Sequence, residues 1–109
     1  MIARIELKDG VTLVGNRYVN EMLRAVQIAF GDHGLPVATI TSGTDGVHGP
    51  SSYHAKGRAV DVRFWGVPDE KRLDVALSIR KWLPTFYDVV TEVDHYHLEA
   101  DANKEKGPH

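Results

Sequence analysis

The chain has 109 residues, 42% of them apolar, with a formal charge of -2 and no cysteine. A domain of this size buries roughly two thirds of its unfolded surface and folds without disulfides, and the lack of thiols excludes cysteine catalysis and thiolate metal sites. The near-balanced charge, with a pI near 6.3, supplies no field for nucleic acid, and no stretch reaches the roughly 20 apolar residues that cross a bilayer.

The first ten residues, MIARIELKDG, lack a charged leader followed by an apolar run. No secretory signal is read there, and the expectation is a chain that stays in the cytoplasm as made. Residues 2–7 alternate apolar and polar, a Lys-Asp-Gly turn follows, and 11–14 (VTLV) are apolar and β-branched, a pattern that predicts a short hairpin. From Asn16 the period becomes helical: Val19, Met22, Leu23, Val26 and Phe30 share a face, with Asn16 as N-cap and Gly31 or Gly34 as the stop. Residues 37–41 (VATIT) read as a strand.

Residues 42–57, SGTDGVHGPSSYHAKG, hold four glycines and a proline. This is a long loop for so small a domain, and such loops are usually functional. A strand is expected over 59–65 and a helix over about 70–82, capped by Asp69, with Leu73, Ala76 and Leu77 on its apolar face. Strands at 86–91 and 96–100 close the chain, and 102–109 form a polar, frayed tail. The expected fold is a single α+β domain over 1–109 with its core in 16–101, a mostly antiparallel sheet and two main helices packed on one face.

Of six histidines, three sit close to carboxylates in two clusters: His54 with Asp61, and Glu92, Asp94, His95 and His97. Neutral imidazole and carboxylate are zinc ligands, and catalytic zinc typically keeps three protein ligands and one open position. Gly57 lets the backbone turn between His54 and Asp61 so that both point to one place. His95 and His97 are two apart in a strand and face the same side, so one can bind a metal while the other stands beside it. Asp94 or Glu92 can then accept a proton from water activated by the metal. The plain alternatives are an exposed His-x-His pair and an Asp61 that merely pairs with Arg58 or Arg63. His33 and His109 are read as carrying no chemistry.

Ser52, His54, Gly57, Ala59 and Asp61 fit the S-x-H-x-x-G-x-A-x-D signature of the zinc D-alanyl-D-alanine peptidases. His95-Tyr96-His97 resembles the second motif of the same superfamily, which includes the signalling domain of Hedgehog proteins. His48, six residues before His54, and the run Gly-Arg-Ala-Val-Asp are similar to the Hedgehog branch. The resemblance spans about residues 37–101. It implies a Hedgehog/DD-peptidase-like fold, zinc held by His54, Asp61 and His97, and hydrolysis of peptide bonds in bacterial peptidoglycan; a monomer is expected.

By the same resemblance Asp94, three residues before the third ligand, is the general base and Glu92 its competitor, while His95 and His48 are candidates to hydrogen-bond the oxyanion. Many of these peptidases hold the substrate carboxylate with an arginine in the loop after the first strand of the motif region. Here that loop reads Ser42-Gly-Thr-Asp45-Gly, so an endopeptidase fits better than a carboxypeptidase, with Arg58 and Arg63 as the remaining substitutes. Only Asp45 hints at the Hedgehog calcium cluster, and no calcium is expected. The lack of a signal suits a phage enzyme released at lysis. The rival reading is a non-catalytic zinc module, structural or receptor-binding.

Overall fold

Asn16 starts the first helix as its position predicts: with extended backbone it accepts a hydrogen bond from the Val19 amide, and α1 runs from Arg17–Asp32. In this computed structural model, which describes residues 1–45 and 52–106, the helix connects two parallel strands, β1 (Arg4–Leu7) and β2 (Val37–Ser42). The rest of the sheet is antiparallel: β3 (Ala59–Arg63), β4 (Tyr87–Thr91) and β5 (His95–Ala100), in the order β1-β2-β3-β5-β4. The fold is therefore mixed α+β with a mostly antiparallel sheet of five strands.

The hairpin expected over residues 2–14 does not form. β1 pairs in parallel with β2, and its flanking amides at Arg4 and Lys8 donate to Pro36 and Ile40 of that side of the sheet. The segment 11–14 instead crosses the start of the long loop: Thr44 N–H donates to the Thr12 carbonyl, and the Asp45 carboxylate accepts from the Thr12 and Gly43 amides. A short alternating segment can satisfy its backbone in either arrangement, and the 16-residue crossover helix decides for the parallel one.

Alternation along the central strands divides the sheet into two faces. Ala38, Ile40, Val60, Val62, Tyr96, Leu98 and Ala100 are buried in one cluster with Met22, Val26 and Phe30 of α1 and Val75, Ala76 and Ile79 of α2 (Arg72–Lys81). The residues between them, Asp61, Arg63, His95, His97 and Glu99, are only partly covered and share the other face.

Two expectations for the second half of the chain are corrected. Asp69 does not cap a helix: residues Asp69–Lys71 form a 3-10 turn and its carboxylate pairs with Arg72 at 2.8 Å. Arg72 also donates to the Val67 carbonyl and lies over the Phe64 ring, which fixes the phase of α2. The buried stripe is consequently Val75, Ala76 and Ile79, while Leu73 and Leu77 are 66% and 59% exposed. Part of the expected tail is a helix instead: Asp101 caps the short α3 (Ala102–Glu105), whose Glu105 binds Arg58, Arg17 and Tyr18.

Candidate metal centre

His54 belongs to a turn built by its neighbours. Its amide donates to Ser52 Oγ at 3.2 Å, and Gly57 closes the turn at φ 68°, a backbone state that favours glycine. The Gly57 carbonyl accepts from Asn16 Nδ2 at 2.9 Å, so the residue that caps α1 also anchors the turn. The His54 ring is buried, and its Nδ1 lies 3.0 Å from the Gly43 carbonyl. A carbonyl can only accept, so Nδ1 donates to it and Nε2 is the nitrogen turned away from Gly43.

Nε2 faces Asp61 in the middle of β3, 3.4 Å from Asp61 Oδ2. Asp61 is directly opposite His97 in the β3–β5 register, and His97 Nδ1 lies 2.8 Å from Asp61 Oδ1. One nitrogen from each histidine and one Asp61 oxygen all fall within 4.8 Å of one another. Ligand atoms about 2.0–2.1 Å from a tetrahedral zinc stand about 3.3 Å apart, so the His54–Asp61 separation already suits the ion. The His97–Asp61 pair sits at hydrogen-bond distance and needs only to lose its shared proton and open slightly. The donor set fits zinc.

Glu99, which the sequence reading left aside, completes the arrangement. It lies two residues after His97 on the same face of β5, and its Oε1 is 2.8 Å from His97 Nε2. Both imidazoles thus have one nitrogen held by the protein and the other turned to Asp61, as histidine ligands generally require. The signal for Glu99 was the period-two spacing His95, His97, Glu99.

The charges follow. Burial alone would raise the Asp61 carboxyl, but hydrogen bonds from His54 and His97, with the positive charge of the histidines, hold it well below the usual carboxylate range. The hydrogen bond to Asp61 lifts His97 to about 9 against the opposing effect of burial, and Glu99 adds to it. Burial also opposes charge on His95, and there the hydrogen bond to Asp94 and the charges of Asp61, Glu92 and Asp94 outweigh it and raise the value.

His95 stands beside this centre. Its Nε2 is 3.2 Å from Glu92 and 3.7 Å from Asp61, and its Nδ1 is 2.6 Å from Asp94. The two candidate bases are thereby separated: Glu92 shares the Nε2 side that faces Asp61, whereas Asp94 reaches the centre through the far nitrogen of His95. His48 lies outside the described residues. Arg58, one proposed substitute for the absent loop arginine, is committed elsewhere, donating to the Ala100 carbonyl and Glu105 and lying over the Tyr18 ring. The other, Arg63, lines a cleft of about 400 Å³ together with Asp61, Asp94, His95, Trp65 and Lys8.

No protein-family model matches the chain, and no curated protein matches it. No helix among the described residues is long and apolar enough to cross a membrane.

Proposed function

We propose that the protein is a zinc metallopeptidase of the D-alanyl-D-alanine peptidase and Hedgehog type that cuts peptide bonds in bacterial peptidoglycan. The observation that carries the reading is the convergence of His54 Nε2, the Asp61 carboxylate and His97 within 4.8 Å, with the outer nitrogen of each histidine already held. The signature residues around them have local work consistent with it: Ser52 and Gly57 shape the turn that aims His54.

Zinc bound by these three residues would activate a water and polarise the scissile carbonyl. The chain's own residues then handle protons. His95, with Nε2 turned toward Asp61 and Nδ1 held by Asp94, is placed to accept a proton and return it to the leaving amine, and Glu92 on the Nε2 side competes for the first step. Asp94 orients His95 and stabilises its charged form. When protonated, His95 is also a hydrogen-bond donor for the oxyanion.

The test is direct. Zinc-loaded protein is incubated with purified peptidoglycan and the soluble products are weighed by mass spectrometry. Stem-peptide fragments released by the wild type and not by His54→Ala are expected. One equivalent of bound zinc with no cleavage would replace the enzyme by the non-catalytic module, and no bound zinc would end both readings.

A further inference from the structure

His95 belongs to a second group of metal-type donors beside the first. Its Nε2, the Glu92 carboxylate and an Asp61 oxygen all fall within 4.8 Å of one another. The separations of 3.2 Å from Nε2 to Glu92 and 3.7 Å to Asp61 Oδ1 bracket the about 3.3 Å that ligand atoms of a tetrahedral zinc keep. The other ring nitrogen is held as a ligand's is: Nδ1 lies 2.6 Å from Asp94, the carboxylate–histidine pairing that supports metal-bound imidazoles. An imidazole among the donors selects zinc over calcium or magnesium, which take oxygen ligands.

Asp61 is common to both groups, and its two oxygens have different neighbours. Oδ2 lies 3.4 Å from His54 Nε2, whereas Oδ1 lies 2.8 Å from His97 Nδ1 and 3.7 Å from His95 Nε2. Two-metal sites hold their ions about 3.5–4 Å apart, a gap that one carboxylate spans with an oxygen to each. Three carboxylates, Asp61, Glu92 and Asp94, surround the single His95 ring. Arg63, opposite His95 in the β3–β5 register, lies over the Trp65 ring, and among the described residues it pairs with none of the three. The acidic group Asp88, Glu99 and Asp101 is different, because Glu99 already supports His97 and Asp88 pairs with Lys104.

We infer that Asp61, Glu92 and His95 form a second zinc site that shares Asp61 with the first, and that filling it inhibits the enzyme. The second ion is the weaker bound, because its Glu92 is 46% exposed and it sits beside another dication. The ligands it takes, His95 Nε2 and Glu92, are the two groups that receive protons in the peptidase reading. The inhibition rests on that reading, and the binding of the second ion does not.

The probe is zinc alone, titrated calorimetrically into the chelator-stripped full chain, with bound metal counted after equilibrium dialysis. The wild type should take two equivalents, the second more weakly, and excess calcium should not displace it. His95→Ala and Glu92→Gln should lose the second equivalent and keep the first, whose unchanged affinity shows that the variants are folded. Asp94→Ala, which removes the support of His95, should weaken the second site about tenfold to a hundredfold. Cobalt loaded stepwise in place of zinc reports adjacency: the second ion should couple magnetically to the first and reduce its electron paramagnetic resonance signal. Peptidoglycan cleavage should rise to one equivalent of zinc and then fall about a hundredfold or more as the second site fills, the loss that follows withdrawal of a general acid–base group. A single equivalent only, a second equivalent that survives in both His95→Ala and Glu92→Gln, or uncoupled cobalt ions overturns the second site. Two coupled ions with undiminished cleavage overturns its inhibitory role. Two coupled ions with no cleavage at any zinc level ends the peptidase reading, and the inhibition with it, while the second site stands.

Discussion

Glu99 holds His97 from behind: its Oε1 lies 2.8 Å from His97 Nε2 while His97 Nδ1 meets Asp61 at 2.8 Å. A carboxylate on the outer nitrogen fixes ring orientation and raises ligand basicity, and removing such a partner typically weakens metal binding about tenfold to a hundredfold. Glu99→Ala should therefore bind zinc more weakly by that factor in a competition titration with a fluorescent chelator. Glu99→Gln can still accept from Nε2–H and should retain most of the affinity. Equal affinity in wild type and Glu99→Ala would show that His97 needs no such support.

The turn that aims His54 gives a second prediction. A Cβ at Gly57 would lie 2.5 Å from Val14 Cγ1 and 3.0 Å from Asn16 Nδ2, in a backbone state with φ 68°. Non-glycine residues in such regions cost on the order of 1–3 kcal/mol, before any steric shift. Gly57→Ala should lower the melting temperature and zinc affinity together, because the displaced turn carries His54. Asn16→Ala, which removes a helix cap and the link to Gly57, should cost about 1–2 kcal/mol by denaturant unfolding. If Gly57→Ala melts like the wild type, the packing of Val14 against the turn is misjudged.

Much of this centre was legible in the sequence because its determinants are local. The spacing in Ser52-x-His54-x-x-Gly57 encodes a turn, and the alternation through His95, His97 and Glu99 encodes one face of a strand. What escaped depended on tertiary choice. Residues 11–14 have a strand's composition, but whether they pair with β1 or cross the loop at Thr44 is decided by the crossover helix. In α2, both 73/76/77 and 75/76/79 satisfy helical spacing, and the seating of Arg72 on Phe64 selects the second. Residues 102–106 read as a frayed tail because composition does not reveal that Glu105 pairs with Arg58, a contact 47 residues distant in sequence.

The alternative faces of α2 can be told apart by truncation. Ile79 is fully buried and Leu77 is 59% exposed. Ile79→Ala should cost about 2–5 kcal/mol, as buried large-to-small changes do. Leu77→Ala should stay within about 0.5 kcal/mol, as exposed substitutions do. Comparable losses for the two would return the helix to the phase first expected from its sequence.

Proton handling beside the centre separates three residues by role. His95→Ala should keep zinc and lose most turnover, because both Asp94 and Glu92 meet the same ring. General acid–base groups contribute about a hundredfold to ten-thousandfold in rate, and the larger part of that loss is expected here. Asp94→Asn should retain zinc, lose less than His95→Ala, and move the acidic limb of the pH–rate profile to lower pH, since Asp94 raises His95. Should Glu92→Gln alone reproduce the loss seen in His95→Ala, Glu92 is the base.

The strongest pH signature belongs to the pair Asp61 and His97. His97 is lifted from its ordinary 6.5 to about 9 by its hydrogen bond to Asp61. A raised folded-state value gives stability that is fully present below about 6.5 and lost as pH climbs through about 9. Asp61 is depressed, so its contribution is present above its ordinary 3.8 and lost as pH falls through its lower folded-state value. Chelator-treated protein should accordingly be most stable between these limits, with a melting temperature that declines from about pH 6.5 to 9. Zinc reverses the alkaline limb. It requires neutral His97 Nδ1, so binding below pH 9 expels a proton, and affinity rises as that proton becomes easier to remove. Ligand binding adds stability in proportion to the logarithm of its saturation, so the gap in melting temperature between zinc-loaded and chelated protein should widen from pH 6.5 to 9. Scanning calorimetry across that range measures the gap, and zinc titrations in buffers of different ionisation enthalpy count the expelled protons. A constant gap together with no proton release at pH 7 would mean that His97 is already neutral there and that Asp61 does not hold its proton.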